Sequence, residues 1–261
     1  MGTQTLRIKS EHVVGGVYAG PDVSDWPGGL EIDGGLGDVK FPGAIAVHGR
    51  ILSGPGSTII AGQSVRSRLS IMVSGGLAAG NNIAAGDGIE AGGHIEAGDG
   101  IKAGRDIKAG GAISADGDIV ADGAIGAGLS IKAGECIVAG EGVKASAGIK
   151  AGWSIEVDLG IDAGEGVEAG WAISAGGDLT TSKDVIAGHA IEAGGGIGAR
   201  SISAGLSIAA EYISAATHIA AGTMTHRPLE PGEDEIRAEI RSGTVVHGAV
   251  VAPAAAPEPK H

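Results

Sequence analysis

The amino-acid sequence predicts an all-β fold, a parallel β-helix (solenoid) of triangular cross-section with about 18 residues per coil. Three periodic features of the chain support this prediction. A large aliphatic residue recurs at every sixth position without a break from Ile59 to Ile197. The residue two positions later is usually Ala, so that two apolar residues flank one outward-facing residue, which is the period of a β-strand. The fourth residue of each unit is usually Gly, which is typical of a turn.

Each six-residue unit therefore predicts a short strand followed by a corner. Such a strand is too short to fold alone and is stable only when it stacks on copies of itself. Three units, such as residues 95–112 with the sequence IEAGDGIKAGRDIKAGGA, form one coil. Its Ile and Ala side chains fill a narrow interior, and its backbone hydrogen-bonds to the coils above and below at about 4.8 Å. Residues one coil apart are therefore expected to stack.

The fourth position of a unit is predicted to be a turn even where it is not Gly. The substitutes include Asp116, Asp122 and Asp158. Asp tolerates a left-handed backbone better than most residues, so its presence fits a corner.

Charges at the second, outward-facing position fit the predicted stacking. Opposite charges lie one coil apart in several places, which avoids repulsion between neighbouring strands. These pairs are Glu90 with Lys108, Lys144 with Asp162, and Lys150 with Glu168. Exposed pairs stabilise a fold little, so they indicate register rather than stability.

The repeat resembles the hexapeptide-repeat left-handed β-helix family, best known from trimeric acyltransferases. That family pairs an aliphatic residue with a following Gly and a small residue two positions earlier. In IEAGDG the order is swapped, because the small Ala97 directly precedes Gly98 and the large Ile95 comes two residues before Ala97. The resemblance covers roughly residues 59–224, and it implies a triangular, left-handed β-helix.

The ends of the chain depart from the regular repeat. The motif is degraded upstream of Ile59, and the solenoid is predicted to span residues 30–224 after an N-terminal cap at residues 1–29. Steps of five residues, from Ile197 to Ile202 and from Ile208 to Ile213, are expected to tighten corners or shift the register. Residues 225–251 are predicted to form an appendage with a short helix or strand followed by a strand. Residues 252–261 resemble a disordered tail.

Composition excludes several classes of protein. The chain has 51 Gly and 9 Pro among 261 residues, but Gly recurs every sixth residue and not every third, so it is not collagen. A net charge of −13 argues against direct binding of nucleic acid, which requires clustered basic residues. No membrane segment or signal peptide is evident. With one cysteine, Cys136, the chain is expected to be cytoplasmic or part of a larger assembly.

No constellation of residues predicts catalysis, a metal site or a cofactor. His94, His189 and His218 lie in the coils without an evident partner in the sequence. Zinc catalysis on a similar scaffold needs three histidine ligands with close spacing, which the chain lacks. The alternative is an acyltransferase that works as a trimer, as the resemblance implies, with a site near His189 or His218.

The residues with the best claim to function are candidates for contact with a protein partner. Trp153 and Trp171 lie one coil apart at the fifth position of their units, and His189 follows one coil later. Together with Tyr212 they are predicted contact residues. The competing interpretation is that each Trp only covers a corner and its neighbour's backbone.

The sequence therefore favours a non-enzymatic structural or protein-interaction solenoid, a rigid acidic rod or scaffold. Self-association, as a trimer or end to end, is a further expectation because a solenoid has open strand edges at its ends. A second alternative is an acidic mimic of nucleic acid that occupies a DNA-binding protein.

Overall fold

The computed structural model describes residues 5–223, 230–231 and 233–251. It confirms the predicted fold class, because the chain is an all-β parallel solenoid of about 12 coils with about 18 residues in each. The helical structure within these residues is one 3₁₀ turn, Ser10–His12. None of the described residues belongs to a helix long and apolar enough to cross a membrane. Handedness and the triangular section stay predictions.

The strands are short and follow one another at regular intervals. The first eight are β1 (Leu6–Ile8), β2 (Val13–Val14), β3 (Val17–Tyr18), β4 (Leu30–Ile32), β5 (Gly37–Phe41), β6 (Ile45–Val47), β7 (Ile51–Ser53) and β8 (Ser57–Ala61). The regular strands are β9 (Val65–Ser67), β10 (Ile71–Val73), β11 (Leu77–Ala79), β12 (Ile83–Ala85), β13 (Ile89–Ala91), β14 (Ile95–Ala97), β15 (Ile101–Ala103), β16 (Ile107–Ala109), β17 (Ile113–Ala115), β18 (Ile119–Ala121), β19 (Ile125–Ala127), β20 (Ile131–Ala133), β21 (Ile137–Ala139), β22 (Val143–Ala145), β23 (Ile149–Ala151), β24 (Ile155–Val157), β25 (Ile161–Ala163), β26 (Val167–Ala169), β27 (Ile173–Ala175) and β28 (Leu179–Thr181). The last seven are β29 (Asp184–Ala187), β30 (Ile191–Ala193), β31 (Gly196–Ala199), β32 (Ser201–Ala204), β33 (Ile208–Ala220), β34 (Glu235–His247) and β35 (Ala249–Val251).

Each regular strand pairs in parallel with the third strand before it and the third strand after it. Ile95 of β14 lies beside Ile113 of β17, which lies beside Ile131 of β20. One coil therefore holds three strands, and the stacked strands form three faces. The first face contains β8, β11, β14 and every third strand to β32, the second contains β6, β9, β12 and every third strand to β30, and the third contains β4, β7, β10 and every third strand to β31.

The core is a stack of large aliphatic side chains beside a stack of small ones. The first residue of each regular strand is at most 1 % exposed, and the third residue is also buried. The second residue of each strand points outward. Burial of an Ile side chain stabilises a fold by about 1.5–3 kcal/mol, so the repeated Ile replaces the aromatic core residues that the regular coils lack.

The backbone at the corners differs from the left-handed turn that the sequence predicted at the fourth position. Glycines with positive φ lie outside the regular coils, for example Gly56 and Gly222, and no described non-Gly residue has positive φ. Gly98, by contrast, lies so close to the coil below that a Cβ would be 2.2 Å from the carbonyl oxygen of Gly80. Gly is therefore frequent at the fourth position because two backbones approach closely there, not because the backbone is left-handed. The left-handed explanation for Asp116, Asp122 and Asp158 at this position was wrong.

Stacking begins before residue 30, inside the segment predicted as a cap. Leu6 of β1 pairs with Leu30 of β4, so the first strand already belongs to the third face. The antiparallel strands β2 and β3 form a small hairpin beside it. The ring of Tyr18 packs 4.7 Å from the ring of Phe41, and both side chains are buried.

The C-terminal coils keep the stacking despite their irregular spacing. The five-residue steps still place Ile202 beside Val185 and Ile213 beside Ile197, so tighter corners absorb the missing residues. Of the two alternatives for the appendage, the structure has the strand, β34, in which Ile236 stacks on Ile208. This stacking buries Ile236 and overrides the helix-like charge order. The predicted tail at residues 252–261 lies outside the described residues.

Candidate partner-contact site

Three aromatic side chains, Trp153, Trp171 and His189, stack in a column along the corner that precedes the second face. The ring centroids of the two Trp residues are 5.3 Å apart and their planes differ by 4°. The His189 ring lies 4.1 Å from Trp171, at 18°. We call these residues the aromatic column. The structure thus brings together three of the four predicted contact residues.

The backbone of the corner fixes this column. The amide of Trp171 donates to the carbonyl of Trp153 at 2.7 Å, and the amide of His189 donates to the carbonyl of Trp171 at 2.7 Å. Gly170 precedes Trp171, and a Cβ on it would lie 2.2 Å from the carbonyl oxygen of Gly152. The Gly at the fourth position therefore lets consecutive corners approach closely enough for the rings to stack.

The column remains open to solvent although its rings cover one another. Trp153 is 55 % exposed and Trp171 is 41 % exposed, while His189 is half-buried. The residue above His189 in the same corner is Leu206, which is buried, and the residue below Trp153 is Glu135, which is exposed. Stacking thus explains part of each ring's burial and leaves a large apolar surface at the edge of an acidic molecule.

Tyr212, the fourth predicted contact residue, lies apart from the column. It pairs with Gly196 at the corner that precedes the third face, where its ring fills the space a Gly196 Cβ would need. The Arg241 guanidinium covers the ring at 3.7 Å from its centroid, a cation–π contact. Tyr212 therefore packs between its own chain's residues.

The histidines of the coils do not meet. His189 lies before the second face, whereas His218 lies near Thr217, whose hydroxyl is 3.3 Å from Nδ1, at the corner before the first face. His94 accepts a hydrogen bond from the backbone amide of Ala112 at 3.0 Å. Within the described ranges, no group of three or more His, Cys, Asp or Glu side chains is placed to hold a metal ion.

A further set of polar side chains, not identified from the sequence, occupies the sixth position of the units. The carboxylate of Asp118 accepts a hydrogen bond from the backbone amide of Cys136, one coil above, at 2.9 Å. The carboxylate of Asp178 accepts one from the backbone amide of Gly196 at 2.7 Å. In the sequence, these side chains could have been recognised as Asp, Asn or His directly before the first residue of the next strand. These side chains satisfy corner amides that the strands do not pair.

Hydrogen bonds and nearby charges at two corners lower the pKa values of two carboxyl groups. A hydrogen bond from Lys108 at 2.6 Å, helped by the amide of Ala124, lowers the pKa of Asp106. At the corner before the first face, hydrogen bonds from Arg200 and Ser201 lower the pKa of Asp184 to about 2. Both carboxylates form ion pairs within the chain, with Lys108 and with Arg200, and these pairs belong to the packing of the corners.

Comparison of the chain with protein-family models, curated proteins and solved structures finds no match. The functional argument therefore follows from the geometry described above.

Proposed function

We propose that this solenoid is a non-enzymatic scaffold, a rigid acidic rod that binds a protein partner through the aromatic column. The exposure of two stacked Trp side chains is the observation that supports a partner most directly. Trp is enriched among the residues that dominate binding energy, and a stacked pair presents a rigid surface that loses little entropy on binding.

The regular coils favour a scaffold over an enzyme. From Ile59 to Ile197 no loop leaves the six-residue period to enclose a substrate. The grooves between outward side chains are open. One of about 710 Å³ lies around Gly126 on the third face, and its lysines are already paired: Lys108 with Asp106 at 2.6 Å, and Lys144 with Asp162 at 2.7 Å.

The chemistry of the column indicates the kind of partner. Its rings offer apolar and π surface, and Glu135 adds a carboxylate below Trp153. A partner that presents aliphatic side chains together with Arg or Lys fits this surface, since cations bind the face of Trp.

The test is a comparison of three baits in extract of the source cells, followed by binding with the purified partner. The baits are the wild type, Trp153→Ala/Trp171→Ala, and Leu159→Ala, whose Leu is 57 % exposed at the fifth position of another corner. We expect the purified partner to bind wild type and Leu159→Ala equally, and the double variant at least about 30-fold more weakly.

Two results would contradict the proposal. Equal binding by all three baits would place the contact elsewhere on the rod. Saturable binding of acetyl-CoA by calorimetry, lost in His189→Ala or His218→Ala, would instead support the acyltransferase alternative.

A further inference from the structure

The second face carries an ordered gradient of side chains along the rod. Its outward residues stack one coil apart in unbroken register. The charged residues of its N-terminal half are basic, the two central residues are Val, and the charged residues of its C-terminal half are acidic, with one small residue between the two charges of each half. The series is Arg66, Ala84, Lys102, Val120, Val138, Glu156, Ser174 and Glu192.

The four charged side chains of this series are exposed and have no ion pair or hydrogen bond with another described residue. On the other two faces, some of the outward charges are already paired. There, Lys150 pairs with Glu168 at 2.8 Å one coil away, and Lys144 pairs with Asp162 at 2.7 Å. The charges of the second face are therefore free to meet charges on another molecule.

The series is complementary to itself when it is reversed. Its midpoint lies between Val120 and Val138, with three outward residues on either side of this central pair. Reversal places each basic residue over an acidic one and each small residue over a small one. The matched residues are Val120 with Val138, Lys102 with Glu156, Ala84 with Ser174, and Arg66 with Glu192.

We propose that two copies of this chain associate face to face through their second faces, with the solenoid axes antiparallel. A twofold axis along the strand direction, between Val120 and Val138, relates the copies, so the interface is isologous. Apolar contacts form its centre. Two Lys102–Glu156 pairs and two Arg66–Glu192 pairs flank them.

The neighbouring corners support the same arrangement. The twofold axis brings each corner beside the equivalent corner of the second copy, again with the order reversed. At the corner before the face, Asp99 then lies opposite Trp153, and Glu135 lies opposite Gly117. At the corner after it, Asp122 lies opposite Gly140. No two of these carboxylates face each other, although the chain carries an excess of acidic residues.

The dimensions predict a weak, salt-sensitive dimer. Seven coil steps separate Arg66 from Glu192, which at about 4.8 Å each gives a contact about 34 Å long. Three strand residues and one corner residue on either side, at about 3.3 Å each, make the face about 15 Å wide, so each copy would bury about 500 Å². The total of about 1,000 Å² is at the lower limit for a biological interface. Exposed flanking charges are screened by salt, so dissociation at high ionic strength is expected.

This association goes beyond the proposed binding of a partner, and the two can fail separately. The aromatic column borders the second face, but its test uses Trp variants and a different molecule. The dimer is tested with charge variants and purified chain alone, so a monomeric result would leave partner capture unaffected.

Sedimentation velocity over a concentration series up to about 0.5 mM, in low salt and in high salt, tests the dimer. The variants are Lys102→Glu and Glu156→Lys, measured separately and then mixed. Each variant alone places like charges opposite each other in its own dimer. An equimolar mixture restores both charge pairs, because one chain presents two carboxylates and the other two ammonium groups. Lys132→Glu and Glu96→Lys on the first face are matched controls with the same changes in charge.

We expect wild type and both controls to dimerise in low salt and dissociate in high salt. Each second-face variant alone should bind itself at least about tenfold more weakly, and the mixture should recover wild-type association. Thermal unfolding checks that every variant is folded, as exposed positions predict. A wild type that stays monomeric throughout, a dimer that survives either single variant, or a mixture that does not recover association would overturn the proposal.

Discussion

Replacement of Gly98 by Ala tests why Gly occupies the fourth position of the repeat. The amide of Gly98 donates to the carbonyl of Ala79 at 3.1 Å, which holds two consecutive corners together. A Cβ on Gly98 would lie 2.2 Å from the carbonyl oxygen of Gly80, whereas real Cβ contacts essentially never fall below 3.0 Å. The two coils must therefore separate locally by nearly 1 Å.

Overpacking of this kind costs about 1–3 kcal/mol, and the loss of Gly entropy in the unfolded chain offsets about 0.4–1 kcal/mol. Asp116 shows that a corner of this type can adjust to a side chain, so we place the net cost at about 1–2 kcal/mol. Circular dichroism should show a melting temperature about 2–8 °C lower for Gly98→Ala. The control is Gly126→Ala, since a Cβ there meets no atom within 4 Å. The control should melt at or slightly above the wild-type temperature. A melting temperature for Gly98→Ala equal to that of the control would refute the close-approach explanation.

Three further predictions concern the core and the corners. Ile131 is 0 % exposed, so its replacement by Ala should lower the free energy of unfolding, measured by urea denaturation, by about 2–5 kcal/mol. A loss below about 1 kcal/mol would contradict a packed interior. Asp118→Ala should lower the free energy of unfolding by about 0.5–1.5 kcal/mol, because the amide of Cys136 loses its acceptor. Asp118→Asn keeps an acceptor oxygen, so its free energy of unfolding should be close to that of wild type. Carboxyl NMR should show Asp184 titrating near pH 2, because the hydrogen bond from Arg200 favours the charged form. Since the folded pKa lies below the usual 3.8, this stabilisation is present above about pH 4 and is lost as the pH falls towards 2. A titration midpoint near 3.8 would contradict the ion pair.

The period of the sequence was sufficient to predict the regular coils. Each six-residue unit makes the same strand and corner, so the position of Ile95 in the core follows from its place in the repeat, as does its pairing with Ile113 one coil later. The stacking of Trp153, Trp171 and His189 followed from the same register. These features are local in the unit and repeat with it, which is why a periodic pattern determines them.

The features that the sequence did not reveal depend on contacts between coils. The distance between Gly98 and the carbonyl of Gly80 is set by backbone packing, so residue preference suggested a left-handed turn that is absent. The strand at residues 235–247 forms because β33 offers an open edge, which outweighs its helix-like charge order. Tyr212 resembled an exposed contact residue because its cover, Arg241, is distant in the sequence.

Electron–electron distances between spin labels test the central claim, a rigid solenoid with one coil per 18 residues. In a Cys136→Ser background, labels at positions 60 and 186 are separated by seven coil steps on the first face, and labels at 96 and 186 by five. With labelled chain diluted in unlabelled chain, we predict narrow distributions centred near about 34 Å and about 24 Å. Moving one label from residue 60 to residue 96 should therefore shorten the distance by about 10 Å, whereas a helix of that length would span about 54 Å. A change that differs clearly from about 10 Å, or broad distributions for both pairs, would contradict the account.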